Sequence, residues 1–102
     1  MHIKPDIEVI FEFTGSRNIF EGYRPAHLIR DDYLTTGIHS YYRLNDEEDK
    51  TTGSITFISP EEYPGCMWIG KRIPMYEGGT LVGYAIVTKI LNAVLMAEDA
   101  VK

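Results

Sequence analysis

The residues MYEGGTLVGYAIVTKI, Met75–Ile90, are the strongest indication of the fold because they place two adjacent glycines between two segments that alternate like β-strands. A phosphate-binding loop needs a lysine and a serine or threonine after its glycines, at the start of a helix. The residues after Gly79 instead continue a β-strand pattern and supply no lysine at that spacing. Gly78 and Gly79 are therefore predicted to form the turn of a β-hairpin, where glycine accepts a left-handed backbone.

The rest of the chain repeats this alternation between turn residues. In Asp6–Phe13 (DIEVIFEF) the apolar residues fall on one side of the chain and mostly acidic residues on the other. Further strands are predicted around His27–Ile29 and over Gly37–Leu44, Gly53–Ile58, Cys66–Met75 and Thr80–Leu91. Six short strands with no amphipathic helix before residue 90 predict an all-β fold, an antiparallel barrel or sandwich. Residues 92–102 are expected to form a tail, and the composition of Leu91–Ala100 favours a short helix or a frayed end.

Composition and charge narrow the classes of function. The 102 residues suffice for one domain, and 44% hydrophobic with 25% charged residues is typical of a globular chain. The formal net charge of -5 disfavours broad attraction to nucleic acid or anionic lipid. A single cysteine, and no charged leader followed by an apolar core, favour the cytoplasm. No apolar run approaches the roughly 20 residues that a membrane helix needs, so no membrane contact is expected.

No arrangement of reactive side chains in the sequence predicts catalysis or a bound cofactor. The three histidines lack metal-ligand spacing and are predicted to be ordinary polar positions: His2, His27 and His39. The acidic run 46–49 lacks the spacing and the glycine of a calcium loop, so a solvated charge run is expected. Cys66, in YPGCMW, lies in no nucleophile motif and is interpreted as a small buried hydrophobe. We therefore expect no enzyme activity, metal, cofactor or small-molecule substrate.

The last predicted strand is apolar on both sides, whereas a small barrel buries only one side of each strand. Alternation places Val82, Tyr84 and Ile86 on one side and Leu81, Ala85 and Val87 on the other. The second side is expected to be covered by the tail, by a loop or by another protein. Tyrosines and a tryptophan interleaved with arginines and lysines are typical of protein-binding and base-stacking surfaces, although aromatic residues also fill barrels.

Three segments together resemble a known family. The opening IEVIF, GYRPAHLIRDDYLTTG (residues 22–37) and IGKRIPMYEGGTLVGYAIVTKIL (residues 69–91) are similar, in order and spacing, to the third, C-terminal domain of bacterial elongation factor Tu. The resemblance covers roughly residues 6–91 and implies a six-stranded antiparallel β-barrel acting here as a stand-alone protein. The matching positions are Gly22, Tyr23, Arg24, Pro25, Thr36, Gly37, Glu77, Gly78, Gly79, Val82, Gly83, Val87 and Lys89.

The resemblance implies a binding role, because that domain packs on its neighbouring domains, contacts the T stem of aminoacyl-tRNA and receives the exchange factor. An RNA-binding set follows by resemblance: Arg24, Thr36, Glu77 and Gly78. The family has arginines where this chain has Tyr76 and Thr80, and the loss of two cations predicts weaker phosphate contacts. The leading hypothesis is therefore a non-catalytic module that binds a protein, in a translation-related or intercepting role; the alternative is an RNA-binding module. The expected partner-binding residues are Tyr23, Arg24, Pro25, Tyr84 and Ile86.

Overall fold

A computed structural model describes residues 4–14, 22–30, 33–45 and 50–97. Six strands and two short 3-10 turns account for the regular structure of these residues. The strands are β1 (Ile7–Phe13), β2 (Ala26–Arg30), β3 (Tyr33–Asn45), β4 (Lys50–Phe57), β5 (Arg72–Glu77) and β6 (Thr80–Ile90). The 3-10 turns are Pro60–Glu62 and Ala93–Leu95. Within the described ranges, no helix is long and apolar enough to cross a membrane.

The six strands form a closed barrel in the order β1-β4-β3-β2-β5-β6, with β6 paired to β1. Every neighbouring pair is antiparallel. The predicted antiparallel β-barrel is thus confirmed, and closure gives each of these strands a partner on both sides. Because the strands alternate in direction, β1, β3 and β5 begin at the same end of the barrel at which β2, β4 and β6 end.

The hairpin predicted from the two glycines is present between β5 and β6. Gly78 and Gly79 have φ of 57° and 85°, the left-handed pair that a two-residue turn of this kind requires. The prediction of one strand over Cys66–Met75 is wrong for its first six residues, because the chain makes further turns there and β5 begins only at Arg72. Where a C-terminal helix was an option, the described residues contain only the 3-10 turn Ala93–Leu95; residues 98–100 lie outside the described part.

The barrel interior is filled by apolar side chains from the strands. The buried apolar side chains of β1, β4, β5 and β6 are Ile7, Val9, Phe11, Ile55, Phe57, Ile73, Met75, Val82, Ala85 and Val87. Two histidines, His27 and His39, are also wholly buried, so the prediction of ordinary polar positions is wrong for both. Gly37 makes room for one of them: a Cβ there would lie 2.6 Å from Ile55 Cγ2 and 2.9 Å from His27 Cε1.

The faces of β6 differ from simple alternation. Met75 pairs with Gly83 while Tyr76 pairs with Leu81, so Val82 is an extra residue in β6 and the register shifts by one. Val82 consequently faces the interior, and its assignment to the side of Tyr84 and Ile86 is wrong. A side chain at Gly83 would overlap the carbonyl oxygen of Glu12 on β1, and its φ of 155° also favours glycine. Glycine at this position thus permits both the shift and the close approach of β1.

Candidate functional site

Exposed apolar side chains are concentrated at one end of the barrel. Eight large hydrophobic residues are exposed in the described part of the chain, and seven belong to loops or strand ends at the end where β1, β3 and β5 begin. We call this the apolar end: Tyr33, Leu34, Ile58, Trp68, Ile69, Leu91 and Val94. The eighth, Tyr42, lies towards the opposite end of β3. Exposure is 65% at Ile58, 57% at Ile69 and 47% at Trp68.

The core beneath the apolar end is covered by buried side chains and hydrogen bonds. Tyr63, Met67 and Leu95 are each wholly buried there, and a single bridge joins Met67 to Met96 of the tail. The Asp6 carboxylate, 6% exposed, accepts hydrogen bonds from the Phe57 backbone N–H at 2.7 Å and from the Asn92 side-chain amide at 2.8 Å. The exposed hydrophobic residues therefore lie outside a buried layer that we call the plug: Tyr63, Met67 and Leu95.

A pocket of about 550 Å³ opens at this end, between the end of β2 and the turns of residues 65–71. Its walls include Leu28, Arg30, Cys66, Trp68 and Lys71. The Lys71 ammonium donates to the backbone carbonyls of Ile29, at 2.6 Å, and of Cys66, at 2.5 Å. It also stands 4.6 Å from the centre of the Trp68 ring, a cation–π distance.

The pocket brings together two cations and a thiol. Arg30 donates from its guanidinium to the Pro64 carbonyl at 3.2 Å. Among the described residues, no carboxylate lies within 4.0 Å of either Arg30 or Lys71. Burial lowers the pKa of Lys71, and the positive charge of Arg30 lowers it further. Burial also raises the pKa of the Cys66 thiol, more than Lys71 and Arg30 lower it, so the sulfur is a neutral thiol rather than an activated nucleophile.

The interior also holds a chain of hydrogen bonds that the sequence did not reveal. His27 Nε2 lies 2.9 Å from His39 Nε2, His27 Nδ1 lies 3.3 Å from the Thr35 carbonyl, and His39 Nδ1 lies 2.8 Å from the Tyr41 hydroxyl. A carbonyl can only accept, so we assign the proton to His27 Nδ1; His39 Nε2 then donates to His27, and Tyr41 donates to His39. All four groups are satisfied with both imidazoles neutral.

Burial accounts for the charge state of this pair. Desolvation lowers the pKa of His27 from 6.5 to about 4, against the opposing effect of its backbone hydrogen bonds. Desolvation lowers the pKa of His39 further, and the neighbouring His27 adds to the shift. The described residues contain no group of three or more metal-ligating side chains. The pair therefore acts as a neutral, buried polar element of the core.

The residues proposed for RNA binding lie on neighbouring parts of three strands. Arg24 is exposed just before β2, and Thr36 on β3 pairs with Ala26, which pairs in turn with Tyr76 on β5. Glu77 and Gly78 follow Tyr76 in the hairpin. The Tyr23 hydroxyl donates to the Glu77 carboxylate. The structure thus brings this set together, away from the apolar end, with the Glu77 carboxylate already bonded within the chain.

The residues proposed for protein binding are divided between two places. Tyr23 and Arg24 belong to the set just described, and Pro25 beside them is buried, with its carbonyl accepting from the Gly37 N–H at 3.4 Å. Tyr84 and Ile86 are half-buried on the outer face of β6. The Arg72 guanidinium lies 3.7 Å from the centre of the Tyr84 ring and 3.8 Å from Glu12.

Sequence reasoning therefore missed the apolar end as a site. The usable signal was Trp68 and Ile69, two large apolar residues inside the proline- and glycine-containing segment PEEYPGCMWIGKR, where solvent exposure is the default. No family model matches the chain. No curated protein gives a significant match either.

Proposed function

We propose that this barrel is a non-catalytic module that binds a protein partner through its apolar end. The observation that carries the proposal is that, among the residues the structure describes, seven of the eight exposed large hydrophobic residues lie at that one end. Such a patch is typical of a protein-binding surface. The plug residues Tyr63, Met67 and Leu95 are wholly buried beneath these side chains, and Tyr33 packs edge-on against Tyr63, yet 39% to 65% of each of the seven side chains still faces solvent.

The chemistry of the apolar end suits protein recognition. Tryptophan and arginine, the residue types that most often dominate interface energies, occur there as Trp68 and Arg30. Burial of a large side chain is worth about 1.5–3 kcal/mol, so covering the exposed half of Ile69 contributes about 1 kcal/mol. A tryptophan at the centre of an interface contributes about 2 kcal/mol or more. A chain of net charge -5 is also better suited to a protein surface than to a polyphosphate.

The proposal includes the relation suggested by the sequence. In this view the chain is a stand-alone relative of the third domain of elongation factor Tu, acting in the cytoplasm on a component of translation or intercepting one. The closed six-stranded antiparallel barrel supports the relation because it is the fold that the resemblance implies. The proposed partner is a protein, and no cofactor or small-molecule substrate is part of the proposal.

The test compares immobilised wild-type protein with three exposed-surface variants. The double substitution Trp68→Ser and Ile69→Ser alters the apolar end; Tyr84→Ser with Ile86→Ser alters the outer face of β6; and Tyr42→Ser is the control. We expect a protein identified by mass spectrometry to bind the wild type and the control, and to lose roughly 100-fold in affinity on the apolar-end variant.

The proposal fails if the apolar-end variant, with unchanged melting temperature, retains the partner as well as the wild type. It also fails if no protein binds, or if only the β6 variant loses binding. In that last case the surface expected from the sequence would be the correct one.

RNA binding is the second candidate, because Thr36 and Glu77 lie on β3 and β5, which flank β2, while Arg24 directly precedes β2 and Gly78 directly follows β5. Filter binding of tRNA at 50 and 200 mM salt separates the two, since phosphate contacts lose affinity steeply with salt. We expect no retention of tRNA at either salt concentration. Salt-sensitive retention that Arg24→Ala reduces would establish the RNA-binding alternative.

A further inference from the structure

The pocket of about 550 Å³ under Trp68 has a chemistry that its protein-binding role alone does not explain. Two cationic side chains, Arg30 and Lys71, and one indole line this solvent-open pocket, which is otherwise largely apolar. We propose that this pocket is a carboxylate-binding subsite, which receives a carboxylate carried beside an apolar group. This inference rests on the proposed function only for the source of the carboxylate, which is an acidic side chain or the chain-terminal carboxylate of the protein partner.

Lys71 is held in position for this role. Two of its three ammonium protons are directed at the Ile29 and Cys66 carbonyls, at 2.6 and 2.5 Å, and the ammonium rests 4.6 Å from the Trp68 ring centre. These contacts fix the long side chain before any ligand arrives, which removes much of the entropy cost of binding. The third proton has no carboxylate acceptor within 4.0 Å among the described residues.

The charge balance of the pocket favours an anion. Lys71 is only partly solvated, and the resulting desolvation disfavours its charged form, which a bound carboxylate would stabilise. Arg30, which lines the same pocket, supplies a second, planar donor of the kind that pairs with carboxylates. Cys66 between them is a neutral thiol and does not compete as a counter-ion.

The size and surroundings of the pocket select among anions. The pocket is open to solvent and, at about 550 Å³, has room beside a carboxylate for an attached apolar group that packs against Leu28 and Trp68. Glu61 and Glu62 are exposed in the 3-10 turn at the same end, and they repel a polyanion more strongly than a ligand with one negative charge. A single carboxylate with an aromatic or aliphatic body therefore fits better than a nucleic acid phosphate chain.

Trp68 is the only tryptophan of the chain, so its fluorescence reports on this pocket alone. The full chain is titrated with N-acetyl-phenylalanine and with its neutral amide, which has the same shape without the charge. We expect a saturable change with the acid, at about millimolar affinity for so small a ligand, and at least tenfold weaker binding of the amide. Inorganic phosphate is titrated as an anion that carries no apolar group, and we expect it to bind at least tenfold more weakly than the acid.

Variants identify the residues responsible. Lys71→Met should weaken the acid at least tenfold and leave the amide unchanged, and Arg30→Gln should weaken the acid about threefold or more. Lys89→Met, which removes an exposed cation of β6 outside the pocket, is the matched control and should change neither titration. Arg30 is exposed, so its variant decides the question even if Lys71→Met does not fold.

Two peptides distinguish the source of the carboxylate. One has an acidic side chain beside phenylalanine and an amidated C-terminus; the other ends in phenylalanine with a free carboxylate and has no acidic side chain. Binding of either supports the subsite and names its source. Equal affinity for acid and amide, preference for phosphate, or binding of the acid that neither pocket variant weakens would overturn it. If no probe binds while the variant with Trp68→Ser and Ile69→Ser still loses its protein partner, the subsite is rejected and the proposed function stands. If the probes bind but no protein partner is found, the subsite stands and the proposed function is rejected.

Discussion

The buried histidine pair makes the free energy of unfolding decrease as the pH falls below 6.5. This decrease begins at a higher pH than the range in which most carboxylates titrate. Both folded-state pKa values lie below the unfolded value of 6.5, so below pH 6.5 the unfolded chain binds protons that the folded chain excludes. The stabilisation is present in full above pH 6.5 and is lost as the pH falls towards the folded values. The sign follows from burial, which opposes the charged form.

The magnitude follows from the linkage relation. For a folded pKa of about 4 and an unfolded value of 6.5, His27 costs about 2 kcal/mol of unfolding free energy between pH 8 and pH 5. The still lower pKa of His39 gives about the same loss over that interval, because the unfolded value limits it. The pair together removes about 4 kcal/mol, a large part of the 5–15 kcal/mol that a domain usually has.

The assay is urea unfolding at pH 8, 7, 6 and 5, followed by the fluorescence of Trp68. The double substitution His27→Leu with His39→Leu removes both members of the pair. It should reduce the loss of unfolding free energy between pH 8 and pH 5 by about 4 kcal/mol, whatever its effect on the stability at pH 8. Tyr42→Ser, at an exposed position of β3, changes no histidine; it is the control and should keep the wild-type slope. A wild-type loss under about 1 kcal/mol, or a double variant that still loses as much as the wild type, would refute the reasoning.

Three further outcomes are expected. Asp6→Ala removes the acceptor of two hydrogen bonds that join β1 to β4 and to the tail, and should lower the unfolding free energy by about 3 kcal/mol in urea; a loss below 1 kcal/mol contradicts that role. Gly83→Ala should cost more than 2 kcal/mol because its Cβ overlaps β1, whereas Gly70→Ala, with open space around it, should cost about 1–2 kcal/mol from its φ of 89° alone; equal costs would remove the overlap argument. Cys66 is buried with a raised pKa, so iodoacetamide at pH 7.5 should modify it at least tenfold more slowly in the folded than in the urea-unfolded chain, and equal rates would show that the thiol is accessible.

The strands were predictable where local chemistry left a single answer. Gly78 and Gly79 required a turn, and the alternation of Ile7, Val9 and Phe11 required one buried face; both features follow from neighbours in sequence. The face of Val82 was not predictable, because the extra residue in β6 exists only relative to its partner β5. The alternation of apolar and polar residues along one strand does not show where its register with the neighbouring strand shifts.

The two histidines illustrate the same limit. His27 and His39 stand 12 residues apart on different strands, and their polar side chains are typical of exposed positions when read one at a time. They become core residues because Gly37 opens space for one ring and because the Thr35 carbonyl and the Tyr41 hydroxyl satisfy the outer nitrogens. Burial of a polar group depends on finding a partner, and that partner is a property of the assembled fold.

The amino-acid sequence alone was enough for the all-β class and for the hairpin, since periodicity and glycine pairs are local quantities. Tertiary structure alone decided that Leu34, Ile58, Trp68 and Leu91 meet at one end and that Arg30 and Lys71 line one pocket. These residues are tens of positions apart, and the order in which six strands close determines which loops share an end. Strand order depends on pairings between distant segments, whose energies no local pattern contains.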